Sequence, residues 1–449
     1  MKKYQLAIIG GGPAGYTAAE KAGKAGLSVV LFEKKALGGV CLNEGCVPTK
    51  TLLYSAKMYD IAKESKRFGV TFNESQYDFK RIISRKNKVV RKLILGVKAK
   101  MEKANVECVM GEAQVIDEQT IECNEIQYQF EKLIVCTGSS SFVPPIKGLN
   151  ETVFWTHNEA LTTQEVPESL IIIGGGVIGI EFASFYNSLG TEVTVIELMD
   201  EILPGMDKDL SALLRTEYTK KGINFILQTK VQEIKEKEDK IAVSITINVG
   251  SQTLIADKVL LSTGRKPNTH KLNWTTLDIT FNEKGLLTTN KHLQSSNPNV
   301  YICGDVNGVS LLAHTAIREA EVAVNHILGI EDEMNYKAIP AVVYTNPEYA
   351  TVGQTEEELT AADIDYTSTS LPLSYSGRFV AENEGFNGLC KVLIDSKTQT
   401  ILGVHILGNP ASEIITTAAM AIELKLTTKE WGKIVFPHPT VNEIFKEFL

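Results

Sequence analysis

Short apolar runs alternate along this chain with glycine-punctuated stretches of helical periodicity. Leu6 to Ile9 form the first run and stop at Gly10-Gly11-Gly12-Pro13-Ala14-Gly15. Four apolar residues closed by glycine predict a strand buried on both faces, as in a parallel sheet. An Ala-rich stretch to Ala25 then predicts a helix, followed by a second strand at Val29 to Phe32 and the acid Glu33. The same order returns later: Leu170 to Ile173, Gly174-Gly175-Gly176-Val177-Ile178-Gly179, a helix to about Leu189, a strand at Val193 to Ile196, and Glu197. Gly10 to Glu33 and Gly174 to Glu197 are both separations of 23 residues.

Strand, glycine-rich turn, helix, strand and acid make up the dinucleotide-binding fingerprint. Its first glycine (Gly10, Gly174) permits the tight turn, and its second (Gly12, Gly176) lets the backbone approach a pyrophosphate. The third (Gly15, Gly179) lets the helix pack closely on the strand. The helix N-terminus then offers N–H groups and partial positive charge to the phosphates. A lone glycine motif is a weak signal, whereas two copies in full context are a strong one. Each copy later meets a strand ending in Thr-Gly, at Thr137-Gly138 and Thr263-Gly264, where the ligand crevice of such a sheet is expected. A third strand of this kind, Val300 to Cys303 before Gly304-Asp305, comes after the second copy. The first nucleotide domain is therefore expected to be interrupted and resumed: residues 1–145, then a second nucleotide domain at 146–265, then a completing part at 266–335.

Beyond about residue 335 the pattern changes to extended runs (Ala341 to Tyr344, Lys391 to Ile394, Leu402 to Ile406) and a helix at Ala411 to Leu424. Residues 336–449 read as a separate α+β domain. The expected fold is α/β, with two nested Rossmann-like dinucleotide-binding domains and a C-terminal α+β domain. The length of 449 residues, with 43% hydrophobic and 22% charged, suits several ordinary globular domains. A net charge of −8 argues against nucleic acid or an anionic membrane as partner, since both call for a basic face. No apolar run approaches the roughly 20 residues of a membrane span. The N-terminus runs straight into a strand, leaving no room for a signal or transit peptide, so a cytoplasmic address is expected.

Seven cysteines in a long chain do not suggest a disulfide scaffold, and only Cys41 and Cys46 lie close together. Their segment, Gly38-Gly39-Val40-Cys41-Leu42-Asn43-Glu44-Gly45-Cys46-Val47-Pro48-Thr49-Lys50, begins a few residues after Glu33. A Cys-x4-Cys spacing brings two sulfurs close enough to bridge if the segment starts a helix. Placed there, the helix dipole is expected to lower the thiol pKa. The competing readings are two inert thiols or half a zinc site, but no partner Cys/His pair of zinc spacing occurs, and no metal is expected. Cys108, Cys123, Cys136, Cys303 and Cys390 sit mostly in apolar runs and read as small buried hydrophobes. Glu197, followed by Met199-Asp200-Glu201, supplies an acceptor for a ribose 2′-hydroxyl and no cation for a 2′-phosphate, which predicts NAD and not NADP at the second turn.

With these motifs in hand, GGVCLNEGCVPTK resembles the redox-active segment of the pyridine nucleotide–disulfide oxidoreductase family, closest to the branch that oxidises dihydrolipoyl groups. The resemblance runs through both glycine motifs, Thr263-Gly264-Arg265-Lys266-Pro267-Asn268, Gly304-Asp305, Leu312-Ala313-His314, Tyr344-Thr345-Asn346-Pro347-Glu348, and His438-Pro439-Thr440 with Glu443. Phe436-Pro437 before His438 is one departure, and it puts the loop's rigidity in doubt. The resemblance implies FAD at the first unit, with Glu33 at its ribose and Asp305 near its ribityl chain, and NAD at the second. Thr137, Gly138, Ala313 and Gly264 would also line the cofactors. It implies that Cys41 faces the substrate and Cys46 the flavin, that Lys50 and Glu181 pair beside the flavin, and that His438 with Glu443 acts as the acid–base pair. It further implies a homodimer sharing its active sites, and as partners the lipoyl domains of a 2-oxo acid dehydrogenase or glycine cleavage complex. Rival readings are a glutathione-like or mercuric reductase, or a flavoprotein with a docking role in a multienzyme complex.

Overall fold

A computed structural model of the chain describes residues 1–247, 250–269, 272–283 and 285–449. Two compact units emerge, one of residues 1–51, 83–142 and 264–335, the other of residues 52–82, 143–263 and 336–449.

The first unit is organised by a parallel sheet in the order Glu107–Met110, Val29–Glu33, Lys2–Ile9, Ile126–Val135, Val300–Ile302. Gln114–Asp117 and Thr120–Cys123 extend it as an antiparallel ribbon along the start of Ile126–Val135. Leu6 and Ile8 point to one face and Ala7 and Ile9 to the other, and all four are buried, as the unbroken apolar run predicts. On the first face lie the helices Pro13–Lys24 and Ala313–Ile327. Ala18 and Ala22 of one and Ala320 and Ala323 of the other are fully buried, and their small side chains let the two helices pack closely. The opposite face is covered by Phe32, Tyr128, Phe130, Trp274 and Leu277. Val300–Ile302 pairs with Ile126–Val135 across more than 160 intervening residues, so the sheet is completed by chain that lies beyond the second glycine motif.

The second unit holds the other parallel sheet, Asn224–Ile226, Glu192–Ile196, Ser169–Ile173, Lys258–Leu261. Its helix Val177–Ser188 is buried from Gly179 to Tyr186. A three-stranded meander, Lys230–Lys237, Lys240–Ile247 and Gly250–Ala256, packs Ile234, Val243 and Ile245 against Ile171 and Ile173. The C-terminal part is a five-stranded antiparallel sheet in the order Ala341–Val343, Tyr349–Gly353, Ile401–Leu407, Leu389–Asp395, Tyr366–Leu371. Helix Ala411–Glu423 lays Ile415, Ala418 and Ala421 on Val392, Val404 and Ile406, and Trp431 and Phe445 close the core.

A buried ionic cluster ties this antiparallel sheet to the nucleotide-binding part of the same unit. Lys391, 3% exposed, donates to Asp207 at 2.8 Å, Asp209 at 2.6 Å and Glu356 at 2.7 Å, and Asp207 is itself 1% exposed. Asp207 also caps helix Lys208–Lys220 by accepting the Leu210 N–H, and its backbone carbonyl accepts the Tyr349 hydroxyl. Burial works against the Lys391 charge, but the three carboxylates outweigh it and hold the pKa above the ordinary lysine value. Removing Lys391 leaves the buried Asp207 without its ion partner, at a cost of about 3–5 kcal/mol, while Asp209, 71% exposed, stays solvated; an exposed pair is worth less than about 1 kcal/mol. Lys391→Met is therefore expected to lower the unfolding midpoint much more than Lys147→Met, which breaks the exposed pair with Glu233. Equal shifts in parallel thermal and urea titrations would show that the cluster does not hold this unit together.

Candidate active site

The two glycine turns are near copies in geometry. Gly10 and Gly174 take φ of +104° and +105°, and a Cβ on either would lie 2.2 or 2.3 Å from the carbonyl oxygen of Cys136 or Ser262 on the neighbouring strand. A Cβ on Gly15 or Gly179 would fall 1.8 or 2.2 Å from the oxygen of Gly10 or Gly174, so only glycine lets the helix start this close to the turn. At Gly12 and Gly176 the surroundings are open: the nearest atom to an added Cβ is 3.8 Å away at the first, and none lies within 4 Å at the second. Helices Pro13–Lys24 and Val177–Ser188 carry no side-chain cap and no acid in the first turn. Their leading N–H groups, uncapped and with no acid beside them, thus suit an anionic pyrophosphate.

The acids at the strand ends do more than the sequence implies. Glu33 accepts the Gly11 N–H and the Lys35 N–H, both at 2.7 Å. Glu197 accepts the Gly175 N–H at 2.6 Å and the Met199 N–H at 2.8 Å. Each carboxylate thereby clamps its own glycine turn to the chain beyond the second strand. A carboxylate has about four acceptor sites, so each retains capacity for a ribose hydroxyl.

Asp305 lies in a loop held from below. Glu319, fully buried on helix Ala313–Ile327, accepts the Gly304 N–H at 2.5 Å and the Asn307 side-chain amide at 2.9 Å. Asp305 in turn accepts the Ser139 hydroxyl at 2.5 Å, and Arg265 donates to the same hydroxyl oxygen and to the Ser139 carbonyl, both at 2.7 Å. Burial pulls the Arg265 pKa down, while Asp305 and Cys46 oppose the shift. Thr137 and Gly138 are pinned by Asn268, whose side chain donates to the Thr137 carbonyl at 2.9 Å and whose N–H donates to the Gly138 carbonyl at 2.9 Å. Gly264, at φ +106°, accepts the Phe142 N–H at 2.9 Å. Ala313 opens its helix without a side-chain cap, and His314 comes next to it.

Cys41 and Cys46 sit on two helices, Gly39–Glu44 and Cys46–Glu64, separated by a break at Gly45, and not within one helical start. The first helix is docked on the first glycine turn: Gly38 N–H donates to the Gly11 carbonyl at 2.8 Å, and a Cβ on Gly39 would lie 2.6 Å from the Gly12 Cα. Both cysteines are thiols in the structure, half-buried and hydrogen-bonded to each other. The expected lowering of the thiol pKa is not what Cys41 shows. The bond to Cys46 and then burial push it well up, and the charge of Lys50, on the following helix, opposes them. Two thiols sharing a proton ionise as a pair, so the dipole cannot act on Cys41 alone. Tyr16, on helix Pro13–Lys24, is raised by burial and then by Cys41 and Cys46, which sets the dithiol beside that helix.

The remaining expected residues lie in the second unit. Glu181, 2% exposed, accepts the Tyr344 N–H at 2.9 Å. His438 Nδ1 lies 2.9 Å from Glu443 Oε1, and Glu443 Oε2 accepts the Thr440 N–H at 2.8 Å. The Thr440 N–H and then His438 hold the Glu443 carboxyl below the usual carboxylate range. An ionised carboxylate only accepts, so Nδ1 carries the hydrogen and a neutral ring keeps its lone pair at Nε2, the tautomer a general base needs. The His438 side chain is 81% exposed in the single chain.

Sequence reading missed two residues. Glu319 shows in the sequence only as an acid interrupting the apolar face of its helix. Arg215, on helix Lys208–Lys220, reaches the loop after Glu197 and pairs with Glu201 through Nε at 2.8 Å and Nη2 at 2.9 Å.

Known proteins match this arrangement along its length. The sequence pattern described as pyridine nucleotide-disulphide oxidoreductase fits residues 4–320, and that of the dimerisation domain of the same family fits residues 339–449. The chain is 40% identical over 448 residues to the dihydrolipoyl dehydrogenase of Mycoplasma genitalium, covering 98% of this chain and 96% of that one. It is 37% identical over 448 residues to the dihydrolipoyl dehydrogenase of Thermus scotoductus, covering 99% and 96%. Among solved structures, the HOCl-induced flavoprotein disulfide reductase RclA from Escherichia coli superposes with a TM-score of 0.87 at 29% identity, covering 99% of each chain. LpdA from Mycobacterium tuberculosis shares the fold with a TM-score of 0.91 at 24% identity, covering 100% of this chain and 98% of that one. The chain is an oxidoreductase and belongs to the pyridine nucleotide-disulphide oxidoreductase family.

Proposed function

We propose that this chain oxidises protein-bound dihydrolipoyl groups and reduces NAD+, the activity its relatives are named for. Its cofactors are FAD, at the turn Gly10, Gly12, Gly15 with Glu33, Lys50, Thr137, Gly138, Asp305 and Ala313, and NAD, at Gly174, Gly176, Gly179, Glu197 and Gly264. The observation that carries the reading is the hydrogen-bonded Cys41–Cys46 pair, docked on the first glycine turn through Gly38 and Gly39.

In the oxidised enzyme Cys41 and Cys46 form a disulfide. His438 takes a proton from one dihydrolipoyl thiol, whose sulfur attacks Cys41 and displaces Cys46. The second substrate thiol then attacks the mixed disulfide, releasing lipoyl disulfide and leaving two reduced cysteines. Bound FAD supplies the passage of the electron pair from these cysteines to NAD+. Lys50 and Glu181 orient and balance charge beside it. His438 and Glu443 serve the dithiol of a second subunit, so the enzyme works as a homodimer, in keeping with the dimerisation pattern over residues 339–449. Its partners are lipoyl domains of a 2-oxo acid dehydrogenase or glycine cleavage complex, and it acts in the cytoplasm. Among the described residues no helix is long and apolar enough to cross a membrane.

The substrate assignment is tested by assaying the holoenzyme with dihydrolipoamide or reduced glutathione and with NAD+ or NADP+. Turnover is expected only with dihydrolipoamide and NAD+, and turnover with glutathione and NADP+ alone would reverse the assignment. The shared site is tested by mixing Cys46→Ser and His438→Gln chains. Each parent is expected to be nearly inactive, the second by about 10²–10⁴-fold, the usual share of a general base. Mixed dimers regain activity from the one intact site they contain. Recovery no greater than in the unmixed parents would show that cysteines and base belong to one chain.

Glu443 gives a separate pH test. Its folded pKa lies below the unfolded value, so its anion, with the support it lends His438, is fully present above the ordinary carboxylate value of about 4.3 and is lost only as pH falls through the lower folded one. From about pH 5 to 9 the Glu443→Gln variant should therefore lose a constant factor in kcat. A loss confined to the alkaline half of that range would contradict an already ionised carboxylate.

A further inference from the structure

The loop after Glu197 is poised at the second nucleotide turn. Glu197 accepts the Met199 N–H at 2.8 Å, and the loop returns at Leu203, whose N–H donates to the Gly175 carbonyl at 2.9 Å. Between these two anchors lie Asp200 and Glu201, and each holds a cation from the start or middle of helix Lys208–Lys220. The Asp200–Lys208 pair, at 2.9 Å, is more than half exposed on both sides. Such a pair is screened and weak. The Glu201–Arg215 pair differs in kind: two parallel bonds at 2.8 and 2.9 Å join a carboxylate 11% exposed to a guanidinium 30% exposed. Bidentate pairs of this geometry are the strong ones, and guanidinium is the group whose fork fits a phosphate equally well. The Ile202 N–H also donates to Glu201 at 2.8 Å, fixing the carboxylate from its own loop.

A site that must reject a 2′-phosphate would be expected to carry no arginine nearby, yet this one carries Arg215 and occupies it. We infer that Glu201 is a specificity-determining residue, which excludes the 2′-phosphorylated dinucleotide by sequestering Arg215. This rests on the reading of Gly174 to Glu197 as the NAD site. Glu201 acts through Arg215 and is thus a positioning residue, touching neither cofactor. Its carboxylate neutralises a guanidinium built to grip a phosphate bidentately, and it keeps the fork turned onto itself. Glu197 alone supplies repulsion. With Glu201 in place, Arg215 is not available to offset it, and discrimination comes from both charges together.

The test is direct binding of adenosine 2′,5′-bisphosphate and of adenosine 5′-monophosphate to the FAD-loaded enzyme by titration calorimetry, without turnover. Glu201→Gln is expected to tighten the bisphosphate relative to the monophosphate by about tenfold or more, the worth of one charge-assisted bond. In steady state its KM for NADP+ should fall while kcat at saturation stays put. Glu201→Asp, which keeps an anion within reach of Arg215, retains the wild-type ratio. The Glu201→Gln/Arg215→Gln double variant loses the gain, a result that loosening of the loop alone cannot produce. If Glu201→Gln leaves the binding ratio unchanged, or the double variant keeps the gain, Arg215 is not the withheld group and the inference falls. Failure of the wild-type enzyme to bind the monophosphate at all would instead overturn the NAD site itself.

Discussion

The close backbone contact between Gly39 and Gly12 is the constraint on which the chemistry of this protein depends. No Cβ fits at Gly39, and the Gly38 N–H donates to the Gly11 carbonyl, so the helix carrying Cys41 starts on the turn that would cradle a pyrophosphate. That contact makes the distance between the glycine turn and the two thiols a property of backbone packing, which is what the proposed relay would need. Any side chain there would have to push one element off the other. The break at Gly45 then lets the second helix begin at Cys46 and brings its thiol onto Cys41.

The two glycine turns show how one local solution serves different ends. In both, the strand-end acid first satisfies the backbone of its own turn, Glu33 through Gly11 and Glu197 through Gly175, and only its remaining lone pairs would be left for a ribose. Replacing either acid would therefore disturb the turn as well as the sugar contact. The copies diverge beyond the acid. From Glu33 the chain goes on to the dithiol; from Glu197 it forms an acidic loop that captures Arg215 and folds back on Gly175.

Local features were legible in the sequence and distant ones were not. The glycine motifs, the acids and the Cys41–Cys46 spacing lie within a few dozen residues, where strand, turn and helix rules operate, whereas the His438–Glu443 pair, five residues apart, was named through the family resemblance and not through its spacing. The interruption of the first sheet was also readable, because Val300 to Ile302 repeats the buried-strand pattern. Glu319 was invisible because an acid on a helix usually faces water, and the Gly304 and Asn307 donors that accompany its burial come from a separate loop. Lys391 finds Asp207 across 184 residues, a pairing no periodicity reveals. The direction of the Cys41 shift failed for a related reason: the dipole argument treats a thiol as solitary, while the fold gives it a second thiol as partner.

That correction sharpens the proposed reaction. Oxidation of a dihydrolipoyl group releases two electrons and two protons, while NAD+ takes up two electrons and one proton as hydride, so one proton must leave. In the proposed reaction a Cys41 thiol pushed up by its bond to Cys46 would keep one proton within the reduced pair, and His438, whose Nδ1 faces Glu443, would take the other. In that reaction the proton kept by the cysteines would stay close to where the electron pair moves on. Two adjacent thiolates in a half-buried site would repel one another, which disfavours the loss of both protons at once. Proton sharing within the pair avoids that repulsion.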